Sequence, residues 1–222
     1  MKLRRRFEGY PCILIATGPS LNKKDVDLIE KYKDYFMIIG CNDSYKVVDF
    51  LDIHYAADYR WWFHHAKPFR EKYPDLEAWT RGSGYLHNQQ YNIKAARVLS
   101  SGTGLSEDPT LLHSGYNSGF AQLNFAYLSG CNKFILVGYN MQPVDKKEHF
   151  FGSHPDGVKK RRPSNYDMFI GAFNSVQKEL WPNIINCTKN SALLYQYRDL
   201  EETLKCESSR IIPKTHLMNK KL

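Results

Sequence analysis

The run Cys12-Ile13-Leu14-Ile15-Ala16-Thr17-Gly18-Pro19-Ser20-Leu21 is apolar until it stops abruptly in Gly-Pro-Ser, and a helical pattern follows it. A continuous short apolar run bounded by turn residues reads as a strand buried on both faces. Asn22 is placed to cap a helix reaching about Tyr32, with Val26, Leu28, Ile29 and Tyr32 on one face and charges opposite. Phe36-Met37-Ile38-Ile39-Gly40 then predicts a second buried strand, ending at Cys41-Asn42-Asp43. Two strands joined by one helix form a βαβ unit, so the sheet is expected to be parallel with a right-handed crossover. The fold class that follows is α/β: a mostly parallel sheet flanked by helices.

Ligands of such sheets collect at the C-terminal strand ends. The Thr17-Gly18-Pro19-Ser20 turn would aim backbone N–H groups and a helix dipole at one point, a seat for phosphate or carboxylate. Asn42 lies at the neighbouring strand end, where its amide can reach a ribose or phosphate or can satisfy its own turn.

The chain has 222 residues, 42% hydrophobic and 24% charged, which suits one soluble domain with a substantial core. Lys and Arg exceed Asp and Glu by 31 to 23, and the excess gathers in Lys2–Arg6, Lys159–Arg162 and Lys214–Lys221. That balance favours an anionic partner such as a nucleotide, nucleic acid or acidic glycan. The five cysteines have no C-x-x-C spacing, which fits buried reduced thiols in a cytoplasmic protein. No long uncharged apolar run is present, so no transmembrane segment is expected.

Ile53–Ala57 predicts a third strand and Glu77–Thr80 a fourth, with an aromatic helix from Tyr59 to about Tyr73 between them. His64 and His65 project about 100° apart on that helix and cannot share one metal, so they read as surface or packing residues. The Gly-rich segment at about 81–114 lacks strong periodicity and predicts a functional lid or insertion, covering the acceptor side. The glycine pair around Asn117-Ser118-Gly119 opens a helix over Phe120–Leu128, a second anion or sugar seat that is compatible with plain capping by Asn117 or Ser118. Lys133–Gly138 is a further parallel strand, followed by Tyr139-Asn140-Met141.

Beyond it, Glu148-His149-Phe150-Phe151-Gly152-Ser153-His154-Pro155 places two histidines around a glycine, ahead of Lys159-Lys160-Arg161-Arg162. A loop histidine beside cations suits a general base next to a phosphate-bearing leaving group. Asn165–Leu180 predicts an amphipathic helix, Ile184–Thr188 a last strand, Ser191 the cap of a short helix, and residues from about 208 to 222 a basic tail. One domain over 1–222 accounts for these elements.

Four segments together carry a resemblance: Ala16–Leu21, Asn117-Ser118-Gly119 before its helix and the strand Phe134–Gly138, His149–His154, and Asn186–Leu193. In order and spacing they resemble the family 42 bacterial sialyltransferases and the related domain of unknown function 115 group. That group contains motility-accessory-factor glycosyltransferases, the archaeal 6-hydroxymethylpterin pyrophosphokinase and short phage-encoded members. The resemblance covers residues from about 11 to 205 and implies a Rossmann-like fold holding a nucleotide-activated donor at Gly18-Pro19-Ser20. It implies nucleotide contacts from Asn42 and Ser118-Gly119, and a general base at His154 first and His149 second. Tyr139 and Tyr166 are the nearby candidates for the tyrosines that assist the leaving group. Three differences stand out. Thr17 replaces an Asn of the sialyltransferases, one extra residue separates Gly152 from His154, and Asn140 replaces the Asp of many relatives, a poorer ligand for a hard cation.

The function expected from sequence is glycosyl transfer from a nucleotide-sugar donor to a hydroxyl of a glycan or modified nucleic acid. Thr17, Gly18, Pro19, Ser20, Asn42, Asn117, Ser118, Gly119 and Asn140 would bind the donor. Lys159, Lys160, Arg161 and Arg162 would neutralise the departing phosphate, with no metal or other cofactor required. The alternatives are a pyrophosphokinase or nucleotidyl-transfer enzyme, for which Mg²⁺ would be needed, and a non-catalytic nucleotide- or nucleic-acid-binding module. Homo-oligomerisation is left open.

Overall fold

A computed structural model describes residues 2–82, 86–152 and 163–214. Seven parallel strands form its centre: β1 (Pro11–Ile15), β2 (Met37–Cys41), β3 (Ile53–Tyr55), β4 (Glu77–Arg81), β5 (Ile93–Ala96), β8 (Lys133–Val137) and β9 (Ile184–Asn186). Between them in sequence, β6 (Val98–Leu99) and β7 (Leu112–His113) make a separate two-residue parallel pair. The large sheet runs β5-β4-β3-β2-β1-β8-β9. The order grows outward in one direction from β1 to β5 and then resumes on the other side at β8. The C-terminal ends of β1 and β8 therefore flank the point where the direction of winding reverses, where a doubly wound sheet opens a crevice.

Both faces are covered, which is why the strands read as unbroken apolar runs. Cys12, Leu14, Met37, Ile39, Phe134 and Leu136 face one core, which they share with α4 (Ser118–Leu128) and with Phe173 of α5 (Pro163–Asn174). Ile13, Ile15, Ile38, Ile135 and Ile185 face the other, against α1 (Lys23–Glu30), α2 (Tyr59–Lys72) and α6 (Leu200–Ser208). The alternation follows from the period of two along a strand. Helix α4 lies deepest, with nine of its eleven residues buried, and its polar side chains are satisfied internally. Gln122 donates to Ile39 O and accepts from Tyr139 Oη at 2.6 Å. Asn124 accepts from the N–H groups of Ser106 and His113. The α1 cap is as expected, with Asn22 Oδ1 accepting from Asp25 N–H at 3.1 Å.

Several expectations require correction. Of the lid or insertion expected at about 81–114, the described residues pack into the body: after the short helix α3 (Leu86–Gln90), β5 becomes the edge strand of the large sheet, and Leu105 and Ser106 are buried beneath α4. The four-residue run Ile93–Ala96 is too short to stand out against its Gly-rich surroundings. The helix expected to reach Leu180 ends at Asn174. Ser175 Oγ bonds back to Ala172 O, Gln177 turns away to bond both backbone groups of Leu105, and a 3₁₀ turn follows over Lys178–Asn183. Ser191 caps no helix; its hydroxyl donates to Tyr139 O and accepts from Leu193 N–H. The basic tail begins later than residue 208, because α6 extends to Ser208 and Lys214 is buried, its Nζ 2.5 Å from Asp52 Oδ2 and 3.1 Å from Phe36 O. Among the described residues no helix is long and apolar enough to cross a membrane.

Candidate functional site

A solvent-open cleft lies over the β1/β8 reversal. It is bounded by four backbone features: the Thr17–Pro19 turn after β1, Asn42 after β2, Gly138 to Gln142 after β8, and the N-terminus of α4. Glu148 and His149 close one side, with Tyr166 and Phe169 of α5 on another.

The β1 turn is packed too tightly for any side chain at Gly18. A Cβ there would sit 2.3 Å from both Asn140 Oδ1 and Gly138 O. The same proximity lets Gly18 N–H donate to Gly138 O at 2.8 Å, so the two strand-end turns are stitched together. Gly138 itself has φ +75°, a conformation that suits glycine. Asn140 completes the junction: its Oδ1 accepts from Ser20 N–H (3.1 Å) and Ser20 Oγ (2.8 Å), and its Nδ2 donates to Lys189 O (2.9 Å) and Asn190 O (3.3 Å). With 1% exposure and every amide position engaged, Asn140 holds the turn together from below.

At the opposite wall Asn117 caps α4, its Oδ1 accepting from Phe120 N–H at 2.8 Å. Ser118 Oγ accepts from Ala57 N–H at 3.3 Å, which ties the helix start to the end of β3. The N–H groups of Ser118 and Gly119 have no acceptor among the described residues and belong to the first turn of an eleven-residue helix lining the cleft. Two unsatisfied donors and the positive helix end together favour an anion there. A Cβ on Gly119 would come within 3.0 Å of the Tyr139 ring, so glycine keeps this approach open.

The backbone is strained around this cleft. Asn42 has φ +48° and Met141 φ +50°, and both line it; Tyr116, beside Asn117, has φ +60°. Left-handed backbone at Met and Tyr is costly and concentrates where a site demands a particular shape. Asn42 opens a 3₁₀ turn, Asn42–Lys46, that the sequence reading did not include. Asp43 in that turn is nearly enclosed and accepts from Trp61 Nε1 at 3.0 Å, with Lys46 Nζ at 2.5 Å and His65 Nε2 at 3.8 Å. Burial pushes its carboxyl up, but the bonds from Lys46 and the Trp61 indole outweigh burial and hold it below the usual range.

His149 is 2% exposed, and its Nδ1 lies 3.2 Å from Thr17 Oγ1. Phe150 N–H donates to Thr17 O at 3.1 Å, so Thr17 grips the loop with both its backbone and its side chain. The His149 ring stacks on Phe151 with centroids 4.9 Å apart and planes 2° from parallel. Its Nε2 is itself buried, a poor position for meeting a solvent-borne acceptor hydroxyl.

The structure thus brings Thr17, Gly18, Pro19, Asn42, Asn117, Ser118, Gly119, Asn140, His149 and Tyr166 to one cleft, with Ser20 joined through Asn140. It does not bring Tyr139 there. That side chain is fully buried, with its hydroxyl 2.6 Å from Gln122 Oε1 and 3.2 Å from Gly119 O, because the turn at Gly138 directs it into the core. None of the described residues of 81–114 lines the cleft. His154 and Lys159 to Arg162 lie outside the described residues. Cys41, Met141, Gln142, Glu148 and Phe169 line the cleft without having been singled out, although Met141 and Gln142 directly follow a recognised strand end. Among the described residues no group of three or more His, Cys, Asp and Glu side chains is arranged to hold a metal ion. His65 stacks on Trp61 (4.5 Å, 16°), as a packing residue does.

Compared with known proteins, no family model matches the chain, and no curated protein does. Among solved structures it is similar to a MAf glycosyltransferase from Magnetospirillum magneticum AMB-1, with a TM-score of 0.57 and 13% identity. The match covers 94% of this chain and 38% of that one. At such identity the likeness is one of fold, and this chain spans well under half of that protein.

Proposed function

We propose that the protein is a glycosyltransferase that binds a nucleotide-activated sugar in the β1/β8 cleft and moves the sugar to an acceptor hydroxyl. One observation carries the reading: the Gly18 turn and the free N–H groups of Ser118 and Gly119 face a single cleft, with the His149 loop closing it. Donors of that kind suit a phosphate whose negative charge grows as the sugar–phosphate bond breaks. The likeness to a MAf glycosyltransferase fold adds to it.

In this reading the donor phosphate rests on the N–H groups of Ser118 and Gly119, and Asn42 reaches its ribose. His154, five residues beyond His149 in the sequence, accepts the acceptor's proton while the acceptor oxygen bonds to the anomeric carbon. The electrons of the broken C–O bond leave with the nucleotide, and Lys159, Lys160, Arg161 and Arg162 neutralise it. Tyr166 lines the same cleft and would donate to the departing phosphate. Asn140 is consistent with transfer that needs no metal, since its amide oxygen is committed to Ser20 and its nitrogen to two carbonyls. The acceptor is a glycan or a modified nucleic acid.

Incubation with cytidine-, uridine- and guanosine-activated sugars, with Mg²⁺ and with a chelator, tests the proposal by nucleotide release. Release from one nucleotide class in chelator is expected. Strictly Mg²⁺-dependent turnover of ATP with no release from any nucleotide sugar would replace it with pyrophosphoryl transfer.

A further inference from the structure

One side chain connects the turn that carries Asn42 with the loop that carries His149. Lys46 ends the 3₁₀ turn, and its Nζ lies 2.5 Å from Asp43 Oδ1 in the same turn. It also sits over the Phe151 ring, 5.7 Å from the centroid. Phe151 is the ring on which His149 stacks, and His149 in turn meets Thr17. The contacts therefore run without a break from Asp43 through Lys46, Phe151 and His149 to Thr17, linking the end of β2 to the end of β1.

Asp43 is suited to anchor this chain. Its side chain is 3% exposed and fixed by the Trp61 indole, so an ammonium held on it has a fixed address. Lys46 is 44% exposed and would otherwise sample many rotamers in water. The carboxylate on one side and the ring face on the other restrict it, and a cation over an aromatic face is attracted by the ring quadrupole. Other contacts of the loop include Phe150 N–H to Thr17 O, Gly152 N–H to His149 O, the His149–Thr17 contact and the Phe150–Phe151 ring pair.

We propose that Lys46 is a positioning residue, a latch that uses buried Asp43 as its anchor and the Phe151 ring as its catch to hold the 148–152 loop closed on the Thr17 turn. Its consequence for catalysis rests on the glycosyltransferase reading; its consequence for the loop does not. Lys46 is not among the residues lining the cleft, and its contact with Phe151 gives it a route to the site through the His149 loop.

Hydrogen–deuterium exchange of the peptide spanning 148–152 tests the latch directly, alongside the rate of nucleotide release. In Lys46→Met the amides of Phe150 and Gly152 should exchange on the order of five-fold faster, and Phe151→Leu should do the same. The double variant should exchange more slowly than the two single effects combined would give, because both remove the Lys46–Phe151 contact while Phe151→Leu also loses the His149 stack. Lys46→Arg, which keeps a cation that can stack, should restore slow exchange. If nucleotide release is observed in wild type, Lys46→Met should lower kcat more than it raises the donor KM. Unchanged exchange in Lys46→Met, or strictly additive effects of the two substitutions, would overturn the latch. Faster exchange with no turnover of any nucleotide sugar by wild type would leave the latch standing and overturn the enzymatic reading instead.

Discussion

Replacing Asn140 with Asp changes one atom in a fully engaged, 1% exposed position, and its consequence can be worked through. The Ser20 side of the contact survives, since a carboxylate oxygen still accepts from Ser20 N–H and Oγ and does so more strongly than an amide. The other side inverts. Two N–H···O=C bonds, to Lys189 O and Asn190 O, are lost at about 1 kcal/mol each, and an anionic oxygen now faces two carbonyl oxygens. Burying the introduced carboxylate there without a cationic partner costs a further several kcal/mol, on the order of 3. After the gain at Ser20 is set against this, we expect a net loss of about 3 kcal/mol near neutral pH. For a chain of this length that is a fall in Tm of about 10 °C. Desolvation and the facing carbonyls raise the introduced carboxyl's folded pKa above its unfolded value. Its protonated form is favoured in the fold, so the deficit is full above the raised pKa and shrinks as pH falls through it toward the unfolded pKa of about 4. Asn140→Leu carries no charge, and its deficit should not vary with pH. Urea unfolding of the three proteins at pH 7.5 and pH 5 decides the matter. A deficit under about 1 kcal/mol at pH 7.5 for Asn140→Asp, or one identical at both pH values, would refute the account of Asn140 as a clamp between the β1 turn and the 189–190 loop.

Other perturbations follow from the same geometry. Gly18→Ala puts a methyl 2.3 Å from Asn140 Oδ1 and Gly138 O, so it should cost about 2–3 kcal/mol of stability and weaken nucleotide binding at least about tenfold, both readable by thermal shift. Glu77 lies between Arg6 (2.6 and 2.8 Å), Lys94 (3.0 Å) and Trp79 Nε1 (2.6 Å); burial pushes its carboxyl up, but these bonds outweigh burial and leave it at about 2. Because that folded pKa is depressed, its contribution, about 1–2 kcal/mol once solvent screening of the part-exposed Arg6 and Lys94 is allowed for, is present above pH 4.5 and disappears as pH falls toward 2. Denaturant unfolding of Glu77→Gln should therefore differ from wild type at pH 6 and converge on it in strong acid. His154→Ala should abolish nucleotide release while leaving nucleotide affinity intact. His149→Ala should weaken both, and full activity in His154→Ala with loss confined to His149→Ala would reverse the assignment.

What could be read in the sequence divides along physical lines. Strands β1, β2 and β8 were legible because burial on both faces demands apolar residues throughout, and Gly-Pro-Ser and Gly-Tyr-Asn mark where that demand ends. The Asn22 and Asn117 caps were legible because a side-chain oxygen at the helix start has few other uses. Tyr139 was misplaced because the positive φ at Gly138 resets which side the following residues face, a change that alternation along a strand does not encode. Strand β5 was hidden because four residues at a sheet edge carry little periodicity. The Asp43–Lys46–Phe151 contacts join residues about a hundred positions apart, and nothing local to either segment signals the other. The same holds for Asn140, whose sequence neighbours suggest a ligand contact and whose tertiary neighbours make it a clamp.

The central claim is that the β1/β8 cleft is a nucleotide seat, and a crystal structure with the nucleotide released in the turnover assay tests it most directly. The account predicts the phosphate on the N–H groups of Ser118 and Gly119, across from Thr17 and Gly18, with the ribose toward Asn42. A nucleotide found elsewhere, such as the groove between α1 and α6 lined by Tyr32, Tyr35 and Glu201, with the cleft unoccupied, would contradict it.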